Sequence, residues 1–149
     1  MTVAGRHVAL LLVLPAAVLG GCGLAITGSA EPAAPDLGMI AGTWEGSYVC
    51  PQGPQGMSVT VDAAGERGEA IVEFYEVAGN PGVGEGSYAA SVEVNGDGSV
   101  VFTPQRWIEH PDGYEMVPLV IGDVVRPGMT ELSGAVDAPG CEGVWLERQ

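Results

Sequence analysis

Lysine is absent from this chain of 149 residues, and its five basic residues, all arginine, face 19 acidic ones. A formal charge of −14 argues against nucleic acid as a partner, because a phosphate backbone repels such a surface. It also argues against adsorption to anionic lipid by charge. It favours steering of a basic partner, and it keeps a domain soluble beside an anionic envelope. Histidine is nearly absent too: His7 and His110 are the only two. A Ser-His-Asp arrangement would have to use His110, and no serine is marked as its partner. G-x-S-x-G, a phosphate-binding glycine loop and H-E-x-x-H are all missing. The reading is therefore of a protein that is not an enzyme, with no cofactor and no metal. No apolar run reaches the length of a membrane-spanning helix.

What is present begins with an export signal over residues 1–21. Arg6 and His7 supply its positive start. Residues 8–19 form an apolar run broken only by Pro15, of signal-peptide length. Leu19-Gly20-Gly21-Cys22 then resembles the lipobox of bacterial lipoproteins: a branched apolar residue, two small residues and cysteine. The resemblance implies that Cys22 carries diacylglycerol and becomes the first residue of the mature chain. The protein would then be held on the extracytoplasmic face of the cell membrane without spanning it. Two acyl chains, at about 0.8 kcal/mol per buried methylene, suffice for stable attachment. Removing Arg6 with the leader takes the formal charge from −14 to −15. Abundant alanine and glycine, with arginine as the only long basic side chain, point to a GC-rich genome of actinobacterial type.

Residues 22–41 read as the lipidated cysteine and a flexible linker of small residues and proline. Leu37, Met39 and Ile40 are candidates to pack onto the domain edge. Residues 42–149 read as one all-β domain, large enough for a real core. Apolar residues alternate with polar ones over 43–50, 57–62, 69–77, 87–94, 99–103, 114–121, 130–136 and 143–147. That is the half-buried strand signal, repeated eight times. Among the 24 glycines and 11 prolines, Asn95-Gly96-Asp97-Gly98 marks a hairpin. Pro118 within the sixth run predicts a bulge or an unpaired stretch.

The expected architecture is an eight-stranded antiparallel meander closing into a small barrel or a tight sandwich. Cys50 and Cys141 form an even pair in an oxidising compartment, so a disulfide is the default. Cys50 ends the first strand and Cys141 precedes the last. In a closed meander those points meet, so the bond would staple the seam. A loop of that length contributes roughly 4–5 kcal/mol in the chain-entropy description.

The richest polar stretch is residues 106–115, read as a loop and its flanks. Glu109, His110 and Asp112 are acid–base or ligand types, but one histidine beside acids is also ordinary hairpin composition. Trp107 and Tyr114 read as rim packing or as a ligand platform. Trp44, Tyr48, Trp107, Glu109, His110 and Tyr114 are the candidate contacts for a ligand or partner.

Gly42-Thr43-Trp44 ahead of an all-β meander resembles the opening of avidin-like and lipocalin-like barrels, which implies a tryptophan plugging one end. Lipobox, linker, barrel and terminal disulfide, with Tyr48-Val49-Cys50 and Gly53, are similar to the lipoprotein inhibitors of c-type lysozyme. The inhibitory Ser-Gly-x-x-Tyr loop of that family is missing, and Gly86-Ser87-Tyr88 is only a loose echo. The fuller set is Trp44-x-Gly46-x-Tyr48-x-Cys50-x-Gln52-Gly53, Pro104-x-x-Trp107, Pro111-x-Gly113-Tyr114 and Cys141. It resembles secreted bacterial β-domains, and that resemblance implies no activity. The functional expectation is non-catalytic binding at the envelope: a basic envelope protein, bound or inhibited. The alternative is a small apolar ligand carried in a barrel lined by Trp44, Tyr48, Phe74 and Tyr88.

Overall fold

The alternation that begins at Gly42 is realised as eight antiparallel strands closing into one barrel. The structure, a computed structural model, describes residues 35–122 and 125–149. The leader, the lipobox and Cys22 lie outside the described residues. The strands are β1 (Gly42–Cys50), β2 (Gly53–Ala64), β3 (Arg67–Tyr75), β4 (Gly86–Val94), β5 (Val100–Glu109), β6 (Leu119–Ile121), β7 (Glu131–Val136) and β8 (Gly143–Arg148). Each pairs with its neighbours in sequence, and β1 pairs with β8, so the meander has no terminal edge strand. Inward positions are the apolar phase of each run: Trp44 and Tyr48, Met57, Val59 and Val61, Val72 and Phe74, Tyr88 and Val92, Val100 and Phe102.

The seam between β1 and β8 is set by two features. Trp44 pairs with Arg148 and Tyr48 with Val144, and the Glu142 amide donates to the Val49 carbonyl at 2.7 Å. The Cys50–Cys141 disulfide closes a separation of 91 residues just beyond. Gly46 lets the two backbones approach, since a Cβ there would sit 2.9 Å from the Leu146 Cα.

Because successive strands reverse, the connections sort to two ends. The β2–β3 and β4–β5 turns and the β6–β7 loop lie at one end. The β1–β2 turn and the loops 76–85, 110–118 and 137–142 lie at the other. The first end is closed. A 3-10 helix, Leu37–Ile40, sits across it with Leu37 and Ile40 fully buried. Asp36 caps this helix, its Oδ1 accepting from the amides of Gly38 and Gly65, both at 2.8 Å. Residues 36–41, assigned above to the linker, are therefore part of the folded barrel. Two buried aliphatic side chains, at about 1.5–3 kcal/mol each, account for their docking.

Several strand boundaries differ from the sequence reading: β2 starts at Gly53 rather than near Met57, β3 is displaced by two residues at each end, and β5 and β6 differ most. β5 runs to Glu109 rather than ending near Thr103, so Arg106–Glu109 is strand and not loop. Its register against β4 shifts twice, leaving Gln105 and then Ile108 as extra residues. Strict alternation from Phe102 would turn Arg106 inward. The extra residue at Gln105 flips the phase and turns Trp107 inward instead. β6 is correspondingly short, and Pro118 lies just before it rather than inside it. Residues 114–118 cross the mouth of the barrel, and the Pro118 carbonyl accepts from the Asp137 amide at 2.9 Å. The Asn95–Ser99 turn is a hairpin. Asp97 accepts from the Ser99 hydroxyl at 2.6 Å and from its amide at 3.0 Å, which holds its carboxyl below the ordinary range.

Candidate functional site

The two ends differ in content. At the closed end Trp44 is fully buried, and its Nε1 donates to the Ile40 carbonyl at 2.7 Å. The Arg148 guanidinium lies 4.2 Å above the indole centroid. It donates to the carbonyls of Met129 (3.0 Å), Ala41 (2.9 Å) and Met39 (2.6 Å). The cation is thus held by an aromatic face and three carbonyls, and its bonds tie the 3-10 helix to the last strand. Trp44 is a structural plug here. It lies apart from the mouth pocket, whose lining does not include it.

The other end is concave. A pocket of about 400 Å³ opens there, lined by Tyr48, Met57, Phe74, Tyr88, Tyr114 and the disulfide, with Gln52 and Glu115 at its edge. The walls are fixed by a neutral hydrogen-bond network. Tyr48 donates to Gln55 Oε1 at 2.7 Å, and Gln52 Nε2 donates to the same oxygen at 2.8 Å. Gln55 Nε2 donates to the Gly84 carbonyl at 3.0 Å, and the Gly84 amide donates to the Tyr114 hydroxyl at 2.9 Å. Tyr88 donates to the Val117 carbonyl at 2.9 Å. Gln55 is fully buried, and every polar atom it carries into the barrel is satisfied. Burial pushes the Tyr48 and Tyr88 hydroxyls well above the ordinary tyrosine range, so both stay protonated donors. The neighbouring Gln52 side chain opposes part of that shift for Tyr48.

Aromatic rings complete the rim. Phe74 stacks on Tyr114 with centroids 5.4 Å apart, and Trp107 meets Phe74 and Tyr88 edge-on at 6.2 and 5.9 Å. His110 stacks on Trp107 at 4.5 Å, and its Nε2 lies 3.2 Å from the Tyr114 carbonyl. The structure thus brings Tyr48, Trp107, His110 and Tyr114 together at the mouth. Glu109 and Asp112 are exposed, and Glu109 lines a separate cleft on the outer wall with Glu45 and Glu73. Among the described residues no group of three or more His, Cys, Asp or Glu side chains is placed to hold a metal ion.

The pocket offers phenol, amide and aromatic surface, which suits an uncharged molecule held by stacking and neutral hydrogen bonds. Below it the barrel is full: Val59, Val72, Val92, Val100, Leu119 and Ile121 are all fully buried. The residues that sequence reasoning missed are Gln52, Gln55 and Arg148. Gln55 occupies an inward position that extends the alternation of Met57, Val59 and Val61, and that was the signal available. Arg148 carried none beyond its place in the last strand.

Comparison with known protein families, with curated proteins and with solved structures finds no match to this chain.

Proposed function

We propose that this is a lipid-anchored, non-catalytic binding protein on the extracytoplasmic face of a bacterial cell membrane. Its partner is a basic envelope protein, such as a cell-wall hydrolase, which it binds or inhibits. The observation that carries this reading is the uncompensated charge of the barrel surface. Of the 19 acidic residues, all but Glu31 and Asp123 lie among the described residues. There the ion pairing of the side chains comes down to one contact, Arg67 with Glu93 at 3.7 Å. Arg148, which could neutralise another, is committed to the closed end. Such a field speeds encounter with a cationic protein and repels anionic ones. The described chain enters the barrel at its closed end, at Asp36, on the side opposite the mouth.

The mouth pocket favours a second reading, a carrier of a small uncharged ligand. It would hold that ligand at the mouth, since the interior beneath is filled.

Co-purification of the lipidated protein from its own envelope, at low and high salt, tests both. The Cys22→Ala variant serves as control. A basic protein retained at low salt and released at high salt is the expected result. Recovery of a small molecule alone would overturn the first reading in favour of the second. Recovery of neither would overturn both.

A further inference from the structure

The outer wall carries an organised surface distinct from the mouth. Register places Glu131 of β7 opposite Glu147 of β8, and Glu147 opposite Glu45 of β1. Glu45 is opposite Ser58 of β2, which is opposite Glu73 of β3. The four glutamates are exposed and form one row across five strands. At ~4.8 Å per strand the row is about 19 Å long. Like charges directly opposite each other across strands repel, so the row carries a standing cost to stability.

The adjacent row, two residues nearer the mouth, reads Ser133, Trp145, Ser47, Gly56 and Tyr75. Trp145 is 55% exposed, more than any other large hydrophobic side chain among the described residues. Its indole leans over Gly143, where a Cβ would lie 2.6 Å from the ring. Tyr75 covers Gly56 at the far end of the row. Grooves of about 750 and 340 Å³ run along this face and share Glu45 as a wall. Arg126, on the rim of the larger groove, is the one cationic side chain lining either of them.

We infer that the outer face of β7, β8, β1, β2 and β3 is a docking surface for an extended cationic polypeptide segment, with Trp145 as its apolar anchor and Glu131, Glu147, Glu45 and Glu73 as its counter-charges. The inference rests on the basic-partner reading above and says where that partner binds. Charge complementarity selects the sign of the occupant. The spacing selects a chain over a metal ion, because each glutamate comes from a different strand and no three converge. Trp145 beside the row selects arginine or lysine side chains over a simple amine. Their methylene stems lie on the indole while their heads reach the carboxylates. An extended segment laid along the row presents a same-side residue about every 6.6–6.8 Å, so roughly three of them reach the glutamates.

The test uses full-length protein in detergent, titrated at low salt with a dodecapeptide of alternating arginine and alanine. A peptide of alternating glutamine and alanine is the blank. Tryptophan fluorescence and calorimetry report binding. Trp145→Ala should weaken binding by roughly tenfold or more, as a partly desolvated aromatic anchor does. Glu45→Gln with Glu147→Gln should do the same. Asp62→Asn with Glu69→Gln removes equal charge from a facing pair on β2 and β3, and should change binding by less than about twofold. Near-UV dichroism of the mouth aromatics checks that each variant keeps its fold. Equal weakening by both charge pairs, with Trp145→Ala neutral, would overturn the docking face and leave the basic-partner reading standing. Failure of the unaltered protein to bind the arginine peptide at low salt would overturn both.

Discussion

The closed and open ends of this barrel solve the same problem with different chemistry. Each must satisfy polar groups carried into an apolar interior. At the closed end a guanidinium does so, spread over an indole and three backbone carbonyls, and packing leaves no void at Trp44, Leu37 or Ile40. At the open end only neutral groups are used, in a chain from Tyr48 through Gln55 and Gly84 to Tyr114. That end stays concave and takes its covalent staple from Cys50 and Cys141. The contrast separates an end that is packed shut from an end that stays concave. It also follows from strand direction, since three of the longer loops fall at the open end.

Breaking the staple should have the largest effect. Cys50→Ser with Cys141→Ser frees a separation of 91 residues, and the expected loss is about 4–5 kcal/mol in urea unfolding. Loss of under about 1 kcal/mol would mean that the β1–β8 hydrogen bonds hold the seam without it. Next comes the clasp at the other end. Arg148→Ala removes a cation–aromatic contact and strands three carbonyls, for about 3 kcal/mol. Arg148→Lys should recover little of that, because a single ammonium lacks the planar fork that reaches three acceptors. Neither Arg148 variant should change the mouth pocket, and altered aromatic dichroism from Tyr88 or Trp107 would show that the two ends are coupled after all.

The barrel itself was legible because its signal is redundant. Eight alternating runs, turn residues between them and two cysteines at matching ends all point to one antiparallel meander, a barrel or a tight sandwich, and the β1–β8 pairing decides for the barrel. The mouth was legible only in part. Tyr48, Trp107, His110 and Tyr114 were picked out as aromatic or polar residues near loops. Their convergence depends on two extra residues in β5, at Gln105 and Ile108, and a bulge leaves little trace in a period-two pattern. Trp44 carries two expectations in the sequence, a plug and a contact, because an exposed and a buried tryptophan look alike there. Arg148 was counted only as charge. Its role depends on the 3-10 helix, and four residues are too few to show a helical period.

A pH series distinguishes the ends a third way. Tyr48 and Tyr88, at the mouth, have hydroxyls whose folded-state pKa is raised by burial. A raised value means that the unfolded chain gives up its protons first. Stability is therefore unaffected below the ordinary tyrosine value of about 10, then falls as pH rises above it. Each tyrosine should contribute about 1.4 kcal/mol of loss per pH unit in that range. Tyr88→Phe should make the alkaline limb shallower by one such contribution. An unchanged slope would mean that Tyr88 is reached by solvent in the folded state.

The smallest expected effect sharpens the contrast between the barrel wall and both of its ends. Glu147 stands between Glu131 and Glu45, so Glu147→Gln relieves two repulsions while leaving the backbone ladder unchanged. The variant should be more stable by a few tenths of a kcal/mol at low salt, after allowance for solvent screening of exposed groups. The gain should vanish at high salt, as the Debye length contracts below the spacing of the row. A stabilising substitution in the row that also weakens binding of a cationic peptide would place a cost to folding and a benefit to binding in the same three side chains. If Glu147→Gln were destabilising at every salt concentration, the row would be held by attractive contacts, and repulsion could not be what a cationic segment relieves.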